Sequence, residues 1–187
     1  MESRNISNLA NDIMNIDEIR YSKVVEISGV KEDDNVLDIG CGDKKILKYL
    51  PPVNYIGIDK EGKPDIHCDL EKRLPRLNKK FDVIFMIWFL EEVENYKTIL
   101  KWCKFLLKPK GRIVIMTPSH NRVITRSEWQ HTTHCFRPTN IDNLAKKLGL
   151  KVEKKTGVYI HIPILNIALP SSSMFYNNAF IFVLSAR

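Results

Sequence analysis

The fold of this chain is decided by the stretch Val36-Leu37-Asp38-Ile39-Gly40-Cys41-Gly42, an apolar strand that ends in an acid and two glycines. Glycine has no Cβ, so the chain can turn sharply there and bring backbone N–H groups close to a ligand. A second apolar stretch, residues 55–58, ends at Asp59, about twenty residues further on, where an acid can bind ribose hydroxyls. The two stretches predict the first half of a nucleotide-type site.

The details of the turn favour S-adenosylmethionine over a dinucleotide. A dinucleotide site needs a third glycine, G-x-G-x-x-G, whereas position 45 is Lys45. Asp38 would repel a pyrophosphate, but it suits the cationic amino group of a methionine moiety. The alternative is that Asp38 only caps a helix starting near Lys44, and that the two glycines form an ordinary turn.

Length and composition indicate one globular domain over residues 1–187, with 44% hydrophobic and 27% charged residues. The longest apolar run, residues 83–90, is too short to span a bilayer, and the N-terminus lacks the pattern of a secretory signal. Four cysteines without paired spacing are typical of free thiols in a reducing compartment. We therefore expect a cytoplasmic protein.

The net charge of +7 comes largely from two basic clusters, one over residues 101–112 and one over residues 146–155. A basic stripe can follow a phosphate backbone, which would indicate a nucleic-acid partner. More commonly such lysines are the solvated faces of amphipathic helices, and we favour that interpretation.

Helical and strand patterns alternate along the chain, which predicts an α/β fold with a mainly parallel sheet. Helices are predicted over residues 17–28, 44–50, 95–107 and 139–148. Strands are predicted over residues 35–39, 54–59, 65–68, 81–87, 112–116, 150–160 and 179–185. Residues 108–111 are expected to turn into the fifth strand, and residues 161–178 to form an apolar loop.

Several further motifs follow in order: His67-Cys68-Asp69-Leu70, Phe81-Asp82-Val83-Ile84, Leu90-Glu91-Glu92-Val93 and Leu106-Leu107-Lys108-Pro109-Lys110-Gly111-Arg112. With the glycine turn and Asp59, they make the chain resemble the class I S-adenosylmethionine-dependent methyltransferases from Tyr21 to its C-terminus. The resemblance implies a three-layer, Rossmann-like fold. Its seven-stranded, mostly parallel sheet would have the order 3-2-1-4-5-7-6, with the seventh strand antiparallel and ligands at the carboxyl ends of the strands.

The resemblance also implies roles for individual residues. Asp38 would orient the methionine amino group, Asp59 would accept bonds from both ribose hydroxyls, and Asp69 would contact the adenine amino group beside Leu70. Trp88 and Phe89, just past the fourth strand, could contact the sulfonium by a cation–π interaction, although core packing is the more common use and is expected for at least one of them. The residues predicted to bind the cofactor are Asp38, Gly40, Cys41, Gly42, Asp59, Lys60, Asp69, Leu70 and Trp88.

The chain departs from the family pattern in three places. Many relatives have a third glycine where this chain has Lys44, and many read Leu-Glu-His where it has Leu90-Glu91-Glu92. The Asn/Asp-Pro-Pro-Tyr/Phe signature of enzymes that methylate exocyclic or amide nitrogens is absent. Methylation of adenine N6 or of glutamine is therefore not expected.

The residues predicted to act as a general base are His131 and His134, in an irregular segment where related enzymes cover the acceptor pocket. The alternative is that these histidines only pack or form structural hydrogen bonds. A zinc site built from His131, His134 and Cys135 lacks a partner pair with ligand spacing, so no metal is expected.

Three functions are compatible with the sequence. The first is methyl transfer to a small molecule or to a lipid- or sugar-linked metabolite. The second is methylation of RNA, using the basic helices. The third is a non-catalytic scaffold that binds S-adenosylmethionine, which the departures at Lys44 and Glu92 raise.

Overall fold

The central strands explain how the sheet forms. Residues 81–87 are apolar apart from Asp82, and such runs form strands that are buried on both faces. The computed structural model describes residues 16–119, 133–162, 167–172 and 179–186. In these ranges the helices are α1 (Ile16–Ser28), α2 (Tyr96–Leu106) and α3 (Pro138–Lys147). The strands are β1 (Asn35–Ile39), β2 (Asn54–Asp59), β3 (Ile66–His67), β4 (Phe81–Ile87), β5 (Leu107–Pro118), β6 (Leu150–Gly157), β7 (Tyr159–Ile162), β8 (Ile167–Pro170) and β9 (Ala179–Ala186).

Seven of these strands form one sheet in the order β3-β2-β1-β4-β5-β9-β6. β9 is the seventh strand of the sheet in chain order, so the predicted order 3-2-1-4-5-7-6 is confirmed. β9 is antiparallel to both β5 and β6, and the other pairs are parallel. The order reverses between β1 and β4, which places their carboxyl ends at the switch point where open α/β sheets bind ligands.

The core lies on both faces of the sheet, which gives the predicted three layers. Alternate residues of β4 point to opposite faces: Ile84 and Met86 pack towards α2 and α3, and Val83 and Phe85 pack towards α1. Within the described residues, no helix has the length and apolar content that crossing a membrane requires.

The predicted helix over residues 44–50 is wrong in length and type, because only a 3-10 turn, Lys45–Lys48, forms there. Lys44, the residue before it, has φ +59° and ψ 37°, a left-handed conformation that costs an L-residue about 1–2 kcal/mol. Its Nζ lies 2.5 Å from Asp65 Oδ1. Glycine adopts such a conformation without strain, whereas here a lysine adopts it and an ion pair accompanies it.

Two further predictions differ from the structure. β5 begins at Leu107 rather than at Arg112, with a register irregularity where it pairs with Phe81 and Val83. The predicted apolar loop over residues 161–178 contains strand instead, because β7 and β8 pair as an antiparallel two-stranded sheet. The strand predicted over residues 150–160 accordingly divides at Val158 into β6 and β7.

Candidate functional site

A small cleft of about 80 Å³ opens at the carboxyl ends of β1, β2 and β4. Six residues that the sequence predicts as cofactor ligands line it: Gly40, Asp59, Lys60, Asp69, Leu70 and Trp88. The fold thus brings together side chains from three separate motifs, because parallel strands end at the same edge of the sheet.

The backbone of the glycine turn is tied to β2. The N–H groups of Gly40 and Cys41 both donate to the carbonyl oxygen of Ile58, over 2.9 and 3.3 Å. The N–H of Gly42 donates to Asp59 Oδ2 over 2.7 Å. The expectation that these N–H groups face a ligand is therefore corrected: in this structure they hold the turn against the neighbouring strand.

Asp59 joins the turn to the loop that follows β2. Its Oδ2 accepts from Gly42, and its Oδ1 accepts from the N–H of Glu61 over 2.9 Å. A carboxylate oxygen has room for a second hydrogen bond, so both oxygens can also accept from a ligand hydroxyl. Asp59 lines the cleft, and its orientation is fixed by two backbone donors. This arrangement fits a nucleoside ribose.

Asp38 is a buried carboxyl group, only 3% exposed. The Tyr55 hydroxyl donates to its Oδ2 over 2.7 Å. Burial raises the pKa of Asp38 to about 7; the Tyr55 hydrogen bond lowers the pKa and the negative charge of Asp59 raises it. Neither of these two groups carries a positive charge, and Asp38 is not among the residues that line the cleft.

Asp69 and Leu70 follow β3 at the far end of the cleft. Asp69 accepts from the N–H of Glu71 over 3.0 Å and lies 3.2 Å from Lys72 Nζ. The hydrogen bond from the Glu71 N–H lowers the pKa of Asp69, and the hydrogen bond from Lys72 lowers it further, so the carboxylate stays charged. Leu70 is buried and presents an apolar surface to the cleft, which suits a flat heteroaromatic ring.

Trp88 lies directly after β4 in a strained conformation. Its φ is +56°, and its backbone N–H donates to the carbonyl oxygen of Met116 over 3.0 Å. Non-glycine residues held in this region concentrate at functional sites. The guanidinium carbon of Arg20 lies 4.9 Å from the Trp88 ring centroid. Trp88 thus lines the cleft as predicted, while its ring already contacts a cation from α1.

Gly40, in the glycine turn, packs against Phe89, the residue after Trp88. With φ +73°, a Cβ on Gly40 would lie 2.6 Å from Cδ2 of the Phe89 ring. Glycine is required here because a neighbouring side chain fills the space. Gly42, by contrast, has φ +48°, and a Cβ on that residue would meet nothing within 4 Å.

We expect Gly40→Ala to lower the free energy of unfolding by about 2–4 kcal/mol, because left-handed strain and a clash with Phe89 add together. Gly42→Ala is the matched control and should lose only about 1 kcal/mol, the cost of its backbone conformation. Urea unfolding of both variants measures the difference. Equal losses would contradict the packing of Phe89 on Gly40, and Phe89→Ala should restore part of the loss in Gly40→Ala.

Cys41 is predicted from the sequence to lie near the cofactor, and its side chain turns towards the sheet. Its Sγ lies 2.7 Å from where a Cβ of Gly57 would be, so the glycine on β2 makes room for the thiol. Burial, together with the charges of Asp38 and Asp59, raises the pKa of Cys41 to about 12. The thiol therefore stays protonated and unreactive at neutral pH.

His134 lies apart from this cleft, in a cavity between α2 and α3. Its ring centroid is 5.0 Å from that of Tyr96 and 5.9 Å from that of Phe136, and its Nε2 is 3.5 Å from Glu94 Oε2. Its backbone N–H donates to the carbonyl oxygen of Glu91 over 2.9 Å. These contacts support the structural alternative for His134. His131 lies outside the described residues.

The described residues contain no group of three or more His, Cys, Asp and Glu side chains arranged to hold a metal ion. Cys68 is buried beside the cleft, and Cys135 is exposed near His134. All four cysteines are free thiols.

Sequence reasoning missed Tyr55, whose hydroxyl binds Asp38, and Glu71, which lines the cleft. Phe89, predicted together with Trp88, lines the cleft too, as does Glu92. The alternation of side chains along β2 could have pointed to Tyr55. Asp38 pairs with Gly57, and Tyr55, two residues before Gly57, lies on the same face of the sheet. Glu71 is held by loop contacts, since its Oε1 accepts from the N–H of Glu94 over 2.7 Å. Nothing in the sequence places those two segments together.

Comparison with known proteins identifies the class that this fold and cleft define. The family model of the methyltransferase domain matches residues 17–155. The chain belongs to this family and is an S-adenosylmethionine-dependent methyltransferase, as the sequence motifs predicted. S-adenosylmethionine is accordingly its cofactor.

Two curated relatives carry the same name in different organisms. The ubiquinone biosynthesis O-methyltransferase of Acinetobacter baylyi is 23% identical over 177 residues, which cover 77% of this chain and 74% of that protein. Its counterpart in Coxiella burnetii is 25% identical over 170 residues, covering 74% and 73%.

Solved structures show the fold. An S-adenosylmethionine-dependent methyltransferase from Thermotoga maritima superposes with a TM-score of 0.69 at 14% identity, covering 97% of both chains. One from Clostridium acetobutylicum gives a TM-score of 0.67 at 14% identity, covering 95% of this chain and 94% of that one. The roles of individual site residues in this chain stay predictions.

Proposed function

We propose that this enzyme methylates a hydroxyl group of a small molecule, free or linked to a lipid or a sugar. The name of the curated relatives, O-methyltransferase in ubiquinone biosynthesis, supports a hydroxyl acceptor. The observation that carries the proposal is the charge of the cleft. Among the described residues that line it, four carboxylates face one cation, Lys60; they are Asp59, Asp69, Glu71 and Glu92.

An acidic cleft favours a cationic cofactor, and it repels a polyphosphate. Asp38 would hold the methionine ammonium group, Asp59 the ribose hydroxyls, and Asp69 the adenine amino group, with Leu70 against the ring. The cofactor supplies a methyl group already activated by a sulfonium. The chain therefore mainly aligns the acceptor with that methyl group and excludes water.

The two basic clusters argue against RNA as the acceptor, because none of their residues is among those that line the cleft. The first cluster follows α2 into the amino end of β5, and the second follows α3 into β6. Several members bind the protein itself: Lys108 lies 2.7 Å from Asp82, Lys155 lies 2.8 Å from Asp142, and Lys104 donates to the Leu148 carbonyl over 3.0 Å.

A hydroxyl acceptor must lose its proton during transfer, and a positioned base can contribute about 10²–10⁴-fold. His131 remains the proposed base from the sequence. For His134 we propose a packing role with Tyr96 and Phe136, because its cavity is lined by other residues than the cofactor cleft.

Transfer of radiolabel from S-[methyl-¹⁴C]-adenosylmethionine tests the proposal. The protein is incubated with a panel of hydroxylated aromatic compounds and, separately, with total RNA, and Asp59→Ala serves as the control for site dependence. We expect label in one or more small hydroxylated compounds, none in RNA, and its loss in the control. Label in RNA alone would overturn the proposal. Cofactor binding without transfer to either class would favour a scaffold.

A further inference from the structure

We propose that Tyr55 is a positioning residue for the cofactor: its hydroxyl holds the Asp38 carboxylate in the orientation and the ionised form that bind the methionine ammonium group. This inference rests on the proposed role of Asp38. It adds to the site a β2 residue that stands outside the glycine turn and the other recognised motifs.

The geometry of two neighbouring strands places Tyr55 against Asp38. Asp38 pairs with Gly57 in the parallel register of β1 and β2, and Tyr55 lies two residues before Gly57 on the same face. A Cβ on Gly57 would lie 3.1 Å from Cε1 of the Tyr55 ring, so glycine makes room for that ring. The hydroxyl then reaches Asp38 Oδ2 over 2.7 Å, the length of a strong hydrogen bond to a carboxylate.

Among the described groups around Asp38, Tyr55 is the one that favours its charged form. Tyr21 from α1 and Cys41 from the turn have pKa values raised to about 12, mainly by burial, so both are neutral at pH 7. Asp59 on β2 is negative and opposes ionisation of Asp38. The β4 residue paired with Asp38 is the apolar Phe85.

Tyr55 can only act as a donor in this pair. Burial and the nearby Asp38 raise the pKa of Tyr55 well above its usual value, so the phenol keeps its proton. A donor to a carboxylate lowers the pKa of that carboxylate. Without the hydroxyl, Asp38 would hold its proton to a higher pH, and a protonated carboxyl group does not bind an ammonium group through charge.

Calorimetry with S-adenosylhomocysteine, which carries the same amino-acid and nucleoside groups, tests this inference across pH 5.5–9. In the wild type, affinity should rise with pH as Asp38 ionises, with a midpoint near pH 7. In Tyr55→Phe the midpoint should move up by about 1–2 pH units, so that binding is about 10- to 100-fold weaker at pH 6. The matched control is Tyr49→Phe, another phenol removed from the same side of the fold, and it should leave the profile unchanged.

The variant Asp38→Asn distinguishes a failure of the inference about Tyr55 from a failure of the proposed role of Asp38. If it removes the pH-dependent rise while Tyr55→Phe keeps the wild-type midpoint, Tyr55 only packs and the inference is overturned, but the role of Asp38 stands. If Asp38→Asn binds as the wild type does, with the same profile, the proposed role of Asp38 fails. A uniform loss of affinity at every pH in Tyr55→Phe would also overturn the inference.

Discussion

Replacing Asp59 with alanine is expected to weaken binding of S-adenosylmethionine about 100-fold, a loss of roughly 3 kcal/mol. The variant removes the proposed acceptor of both ribose hydroxyls. It also frees the N–H groups of Gly42 and Glu61, which the carboxylate now holds over 2.7 and 2.9 Å. Calorimetry of the purified protein measures the loss.

The control for this prediction is Asp43→Ala, because Asp43 is a carboxylate next to the same turn but outside the cleft. This variant removes one negative charge near the cleft but leaves Asp59 and its hydrogen bonds in place. It should change the affinity for S-adenosylmethionine less than about threefold, as expected of a surface charge. Wild-type affinity in Asp59→Ala would remove Asp59 from the site. Equal losses in both variants would indicate a general effect of charge.

Asp38→Asn should make the protein more stable above neutral pH while abolishing tight cofactor binding. The pKa of Asp38 is about 7 in the folded protein against an ordinary value of 3.8, so the folded state holds the proton more tightly than the unfolded state. Wild-type stability therefore falls as pH rises from about 4 to 7, and the full penalty is present above pH 7. Three pKa units correspond to at most about 4 kcal/mol, a penalty that asparagine avoids.

Urea unfolding at pH 4 and pH 8 checks this expectation. The gain in free energy of unfolding should appear at pH 8 and be nearly absent at pH 4, where the wild-type carboxyl group is largely neutral in the folded state. Asp43→Asn, outside the buried site, should show no gain at either pH. If Asp38→Asn were equally destabilised at both values, the hydrogen bond to Tyr55 would outweigh the burial of charge.

The sequence predicts the sheet well because its signals are local and redundant. The β4 run is apolar apart from Asp82, and the proline pair at residues 51–52 ends the segment before it. Most strand bounds therefore follow within a residue or two, although β5 begins five residues earlier than predicted. Lys44 shows the limit of this reasoning. A lysine gives no sign of a left-handed conformation, which here accompanies an ion pair with Asp65, a residue 21 positions later.

Site residues that belong to a recognised motif can be predicted from the sequence, whereas contacts between two motifs cannot. Asp59 and Asp69 follow strands at recognised positions, and both lie in the cleft. The use of the N–H groups in the glycine turn depends on the carbonyl of Ile58, a partner that no spacing rule supplies. Likewise, the packing of Phe89 against Gly40 arises only when β1 and β4 become neighbours in the sheet.

The excess of carboxylates in the cleft affects the exchange of the cofactor after each methyl transfer. Methyl transfer turns a sulfonium into an uncharged thioether, so substrate and product differ by one positive charge at the same place. A cleft with an excess of carboxylates attracts the first more than the second. Charge alone thus favours the replacement of spent cofactor by fresh cofactor. Added salt weakens that preference, because the screening length is only about 8 Å at physiological ionic strength.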